Sequence, residues 1–293
     1  MDAAECKRRI EKCFPHLRVR SFKPIEKGWD SFVLEVNDDF IFRFPRRPDQ
    51  EVCLEREIRL LPQLAKTLSV RLPQFEFICH GNEECARFVG YRKIEGVPLS
   101  SAFFKFIRSD HLAQHLSRVL TELHRFPLQE ALQLKIPYAS PIEWRQEYQD
   151  RYTQVRERVF PLLDAAMRAK VTALWEGFLN KESYFQFQSV LLHGDLSGEH
   201  ILCKPNGEQI AGIIDWGDLS IGDPAFDFTG LWHNYGSKFV GQVLVGYEGE
   251  VDDTFRERIS FYSRMIPFHK ILYGLNMRDP MRLELGLQQL LTE

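Results

Sequence analysis

The sequence predicts an α+β protein in two lobes: a small antiparallel sheet with one helix, then a larger, mainly helical body. Two features predict it. Residues 19–94 read as short apolar runs divided by polar turns, with one helical stretch among them. After Glu95-Gly96 the apolar spacing turns to the helical period, broken only by short strands around 190–214. The lobes are expected to divide as residues 1–94 and 95–293, and the cleft between them is the default ligand site.

Taken in order, residues 2–14 read as a short amphipathic helix carrying Ile10 and Phe14. Val19 to Ile25 and Ser31 to Val36 are strands around the turn Lys27-Gly28-Trp29-Asp30. Asn37-Asp38-Asp39 then turns into Phe40 to Phe44, whose alternation puts Ile41 and Arg43 on one face. A helix at 50–61 places Leu54, Ile58 and Leu61 together, with Pro62 ending or kinking it. Phe75 to Cys79 and Arg87 to Ile94 are the next strands. The best helix is 110–125, where Leu112, Leu116, Val119, Leu120 and Leu123 form one stripe. Helical segments continue through 141–180 and resume at 224–247, 253–275 and 280–292.

With 293 residues the chain can bury a sizeable core, and 44% hydrophobic with 27% charged residues is the balance of a soluble globular protein. A net charge of −3 excludes a general nucleic-acid binder. No apolar run approaches the roughly 18 residues of a membrane helix, and Met1-Asp2-Ala3-Ala4-Glu5 is wrong for a secretory leader. The six cysteines are scattered without a CxxC pair, which predicts reduced, mostly buried thiols rather than a zinc site or disulfide framework. A cytoplasmic monomer is expected, with no nucleic-acid or membrane partner.

The stretch that carries chemistry is 190–218. His193-Gly194-Asp195-Leu196-Ser197-Gly198-Glu199-His200 follows one apolar strand, Val190 to Leu192. Ile214-Asp215-Trp216-Gly217-Asp218 ends another, Ile210 to Ile214. Asn206-Gly207 between apolar runs is a strong hairpin signal, which predicts that Asp195 and Asp215 meet at one sheet edge. Protein kinases carry H-R-D-L-x-x-x-N, in which Asp orients the acceptor hydroxyl and Asn holds metal. Here Asp195 has the first role and His200 stands at the second. Asp215 sits where the D-F-G motif puts its metal-binding carboxylate, a hard oxygen ligand suited to magnesium. Asp218 and Asp223 are candidates for contact with the acceptor or with the metal's surroundings, whereas Asp227 is read as a brace for the His193 loop.

In the small lobe, Arg43 supplies a cation for nucleotide phosphates and Glu57 is its expected helix partner. Gly28 heads a flap ending at Ser31, without the G-x-G-x-x-G pattern. The linker Tyr91-Arg92-Lys93-Ile94 is expected to offer backbone groups to a nucleobase.

These segments, with Ile94-Glu95-Gly96 and Gly222-Asp223-Pro224, together resemble the aminoglycoside phosphotransferase family. The nearest likeness is to aminoglycoside 2''-phosphotransferases, with macrolide phosphotransferases as near relatives. The resemblance spans residues 28–227 and implies a protein-kinase-like fold. It also implies Mg2+-dependent transfer of the γ-phosphate of ATP or GTP to a small-molecule hydroxyl. Asp195 is then the base, His200 and Asp215 hold metal, and Arg43, Glu57, Gly28, Ser31, Arg92, Lys93 and Ile94 bind nucleotide. The 2''-phosphotransferases carry an acidic run after the segment matching Asp227-Phe228. Here residues 229–235 are aromatic and nearly uncharged. Asp218, Glu199, Trp232 and Tyr235 are the candidate acceptor contacts, with the acidic run Glu248 to Asp253 as a further source of negative charge. An aminoglycoside is the first acceptor expected. A macrolide or other hydroxylated metabolite is the alternative, and a non-catalytic nucleotide-binding pseudokinase is a third reading.

Overall fold

The computed structural model describes residues 2–25, 30–81, 86–105 and 109–292. Helix α1 (Ala3–Cys13) begins at Asp2, whose carboxylate accepts the Glu5 N–H, and it buries Cys6 and Ile10. Strands β1 (Phe22–Ile25), β2 (Ser31–Val36) and β3 (Phe40–Pro45) form an antiparallel meander. Helix α2 (Pro48–Leu64) follows, and β4 (Phe75–Cys79) and β5 (Phe88–Arg92) complete a five-stranded sheet of order β1-β2-β3-β5-β4. The first strand starts later than the apolar pattern suggests, because the Arg20 and Ser21 N–H groups donate to the Asn37 side chain instead of to a strand. Pro62 lies within the last turn of α2 and does not end it.

The remainder holds two small sheets and nine helices among the described residues. Strands β6 (Val97–Pro98), β7 (Val190–Leu192), β8 (Ile201–Cys203), β9 (Ile210–Ile213) and β10 (Ser220–Gly222) pair as β6-β8-β9 and as β7-β10. The helices are α3 (Ser101–Phe104), α4 (Ser109–His124), α5 (Leu128–Gln133), α6 (Pro141–Gln154), α7 (Ala165–Leu179), α8 (Thr229–Gly246), α9 (Phe255–Ser263), α10 (Ile266–Met277) and α11 (Pro280–Thr292). The predicted helical run 141–180 is divided by a π-turn over Val155–Val159 and a 3-10 turn over Phe160–Leu162, where Pro161 has no N–H to continue the ladder. Helix α8 is kinked at Gly236, whose φ is 81°.

Two hydrophobic clusters hold the molecule together. The smaller gathers Cys6, Ile10, Leu34, Val36, Phe42, Phe44, Phe77 and Phe88 between α1 and the five-stranded sheet. The larger is built on α4, β7 to β10 and the later helices, and it takes in Leu60, Leu61, Leu64, Leu68, Val70 and Leu72 as well. The end of α2 and the segment after it therefore pack with the helical body. Their backbone does too: Ile213 donates its N–H to the Arg71 carbonyl at 2.9 Å.

Candidate active site

The Asn206-Gly207 turn closes a hairpin as expected, with Gly207 at φ 71° and Lys204 N–H donating to the Gln209 carbonyl. The strands it joins are β8 and β9, however. Strand β7 leaves the hairpin and pairs with β10 instead, Leu191 opposite Ile221. The expectation of a single sheet edge is corrected accordingly: both acid-bearing loops cross between two small sheets. Residues 193–200 run from β7 to β8, and residues 214–219 run from β9 back to β10.

His193 fastens these two loops together. Its ring is buried, and Nε2 donates to the Ile214 carbonyl at 3.2 Å while Nδ1 accepts the Asp195 N–H at 3.2 Å. Burial lowers its pKa to about 4, so the ring is neutral and can serve both partners at once. Trp216 lies against the ring at 4.5 Å between centroids and donates its indole N–H to the Ile213 carbonyl. Gly194, at φ 83°, lies against the other loop so closely that a Cβ would come within 2.1 Å of the Asp218 carbonyl oxygen. Only glycine fits there.

Asp227 braces this loop, the role the sequence suggested. Fully buried in the 3-10 turn Pro224–Phe228, it accepts the His193 and Gly194 N–H groups at 2.9 Å each. His124 Nε2 lies 3.2 Å from the same carboxylate, and His124 Nδ1 is 2.6 Å from the Tyr247 hydroxyl. Burial pushes the Asp227 carboxyl up, but His124 and the loop donors outweigh it, and its pKa falls below the ordinary value.

The Asp195 side chain is about half exposed. Its pKa is pushed up to about 6, mainly by the desolvation of its surroundings, with His200 opposing and Asp218 and Asp215 reinforcing the shift. His200 stands between the two acids. Its Nδ1 is 2.7 Å from the Asp195 carbonyl, which can only accept, so the proton is on Nδ1. Nε2 lies 3.5 Å from the Asp215 carboxylate. Asp215 adopts φ 64°, a strained left-handed conformation for a residue with a side chain and a common mark of functional positions.

These groups suit a magnesium ion held jointly with nucleotide phosphates. Asp215 would offer hard oxygen and His200 its Nε2 beside it, with phosphate and water able to complete the shell. Among the described residues no cluster of three or more His, Cys, Asp or Glu would hold a metal alone.

The expected Arg43–Glu57 pair forms. Arg43 Nη1 donates to Glu57 at 2.6 Å and Nη2 reaches Asp215 at 3.3 Å, with Glu57 fully buried. Burial raises the Glu57 pKa, opposed by Arg43, and the paired carboxylates hold the Arg43 guanidinium charged. Ser31 begins β2 opposite Pro45. Arg92 lies over the Phe40 ring at 5.0 Å, Lys93 donates its backbone N–H to the Asp39 carbonyl, and Ile94 is buried. Gly28 lies outside the described residues.

The acceptor candidates scatter. Asp218 and Glu199 have solvent-accessible side chains near the loop, and the surrounding protein's desolvation of the Asp218 carboxyl, with Asp215 and Asp30 beside it, raises its pKa. Tyr235 packs against Phe104 and Phe239, with its hydroxyl donated to the Leu99 carbonyl. Trp232 lines a shallow cavity of about 560 Å³ with Tyr184, Arg256, Glu257 and Arg264, none of which comes from 193–218. The first two turns of α8 abut the loop 193–200 directly. A Cβ on Gly230 would meet the Leu196 carbonyl oxygen at 2.2 Å, one on Gly198 would meet the Tyr235 hydroxyl at 2.0 Å, and Asn234 accepts the Gly198 N–H.

Sequence reasoning missed Asn234, His124, Tyr247 and Arg258. Arg258 is fully buried and donates to both Asp223 and Asp252, while Tyr262 donates to Asp223 as well. Asp223 is thus structural rather than an acceptor contact.

A family model, the phosphotransferase enzyme family, matches residues 21–259. This chain belongs to that family. The phosphotransferase is similar over almost its whole length to an aminoglycoside 2''-phosphotransferase, IIIa, solved with GDP and kanamycin. That likeness has 31% identity and a TM-score of 0.90, and it covers 98% of this chain and 97% of the other. Viomycin phosphotransferase of Streptomyces vinaceus is 28% identical over 67% of this chain and 66% of its own. A macrolide 2'-phosphotransferase of type I shares the fold, with a TM-score of 0.79 at 22% identity and 99% and 98% coverage. Among the described residues no helix is long and apolar enough to cross a membrane.

Proposed function

We propose that this phosphotransferase moves the γ-phosphate of a nucleotide to a hydroxyl of an aminoglycoside antibiotic, with Asp195 as the base. The observation that carries this reading is His200, which touches the Asp195 loop with one nitrogen and faces Asp215 with the other. That arrangement sets a hydroxyl-binding carboxylate beside a phosphate-binding one. Asp195 accepts the proton as the hydroxyl attacks, and Arg43, fixed by Glu57, meets the phosphate oxygens. A magnesium ion held by Asp215 and His200 neutralises charge on the phosphates when bound. GTP is the donor favoured by the GDP bound in the similar aminoglycoside enzyme.

A second reading, a macrolide or other weakly charged acceptor, is favoured by the carboxylates near α8 and α9. Glu248 pairs with Arg125, Asp252 with Arg258 and Glu257 with Lys181, so each of these acids already has a cation beside it that ring ammonium groups would have to compete with. Incubation with Mg2+ and GTP or ATP against kanamycin, gentamicin, viomycin and a macrolide, read by product mass spectrometry, separates the two. A phosphorylated aminoglycoside supports the first reading. A phosphorylated macrolide alone replaces it with the second. Product formation unaffected by Asp195→Asn overturns the mechanism.

A further inference from the structure

We infer that Cys13 and Cys79 form an oxidisable pair, a site at which a hydroperoxide cross-links α1 to the small-lobe sheet. Their sulfur atoms lie 2.7 Å apart although 66 residues separate them in the chain. A disulfide needs about 2.0 Å between sulfurs, a closing movement of well under 1 Å. Both residues are half-buried, so a small oxidant can reach them, whereas Cys6 and Cys203 are sealed in the two cores.

The pair is held together from both sides. Cys13 ends α1, and the next residue, Phe14, packs edge-on against Phe77 at 5.1 Å and Phe88 at 5.9 Å. Cys79 ends β4 and is paired in register with the same Phe88. One aromatic cluster thus sets both cysteines. Two thiols fixed in this way react as an intramolecular pair, at an effective concentration far above that of free thiols.

The chemistry balances with a hydroperoxide as oxidant. One thiolate attacks the peroxide oxygen, the O–O bond breaks, and a sulfenic acid forms with loss of water or alcohol. The second thiolate attacks the sulfenic sulfur and forms the S–S bond as hydroxide leaves and is protonated to water. Two thiols lose two electrons and two protons, and the peroxide gains them. The cross-link closes a long loop, so it should stabilise the folded lobe, and a dithiol reverses it.

The test treats the full-length protein with hydrogen peroxide, blocks remaining thiols with N-ethylmaleimide, and maps non-reduced tryptic peptides. The expected product joins the peptide of Cys13 to that of Cys79, and apparent Tm rises by about 5 °C or more. Dithiothreitol should reverse both changes. Cys85 shares the tryptic peptide of Cys79, so Cys85→Ser should keep the cross-link and the Tm shift. Cys13→Ser and Cys79→Ser should lose both. A cross-link that survives Cys79→Ser but not Cys85→Ser overturns the assignment, as does a protein whose Cys13 remains alkylatable after peroxide treatment. The readout needs neither nucleotide nor acceptor, so it stands apart from the proposed reaction.

Discussion

Replacing Gly194 by alanine tests whether the two acid-bearing loops must touch. At φ 83° an alanine carries the left-handed penalty, about 1–2 kcal/mol. Its Cβ would also stand 2.1 Å from the Asp218 carbonyl oxygen, where real Cβ contacts keep at least 3.0 Å. The opposing atom is backbone and cannot swing aside like a side-chain tip. The loops must therefore separate by close to 1 Å, a displacement that costs about 100-fold when it falls between reacting groups. Gly194→Ala is expected to lose about 2–4 kcal/mol of stability in urea unfolding. It should also lose roughly 100-fold in kcat in a coupled assay of nucleotide diphosphate release. Nucleotide KM should change much less, because the Arg43–Glu57 pair joins β3 to α2 and does not depend on this contact. A variant with wild-type kcat and an unchanged unfolding midpoint would refute the claim that this contact sets the distance between Asp195 and Asp215.

Three further outcomes follow from the same geometry. The Asp195 carboxyl, pushed up to about 6 chiefly by desolvation, is charged above that pH and able to accept a proton, and neutral below it. The pH profile of kcat/KM should therefore fall about tenfold per unit below about 6 and be flat above, and a profile flat to pH 5 would contradict the assignment. Arg43→Lys keeps the charge but cannot reach Glu57 and Asp215 together as the two Nη atoms do, so nucleotide KM should rise about 10-fold or more in initial-rate measurements. Arg258→Leu leaves Asp223 buried without its ion pair, and chemical denaturation should register a loss of about 3–5 kcal/mol.

Much of the candidate site's geometry was legible because its groups sit on local patterns. A carboxylate after one strand, another after a second, and a cation facing a helix Glu are such patterns, and the Arg43–Glu57 pairing and the positions of Asp195 and Asp215 follow from them. The sheet pairing could not. Strands β7 and β10 are three residues long, too short for alternation to specify a partner, and the hairpin signal belongs to β8 and β9 alone. Long-range polar partners were equally silent. Nothing near Arg258 in the sequence says that it will be buried against Asp223, 35 residues away, or that His124 and Tyr247 will meet behind Asp227. Asp223 looked available only because its partner was invisible. Tyr235 and Trp232 looked alike as candidate acceptor contacts on one helix, yet the loop 193–200 claims the face of the first and not that of the second.

The close fit between the loop 193–200 and the first two turns of α8 also bears on how such a protein changes its diet. Gly230 and Gly198 leave no room for a side chain, and Asn234 and Tyr235 are committed to Gly198 and Leu99. Selection for a new acceptor has few moves on that face, since each would disturb the packing of residues 193–200. Trp232, on the cavity side of the same helix, packs partly against the core and lines that cavity rather than holding the loop. Laboratory evolution toward other acceptors should accumulate its substitutions there and along α9, leaving the loop-facing positions as they are.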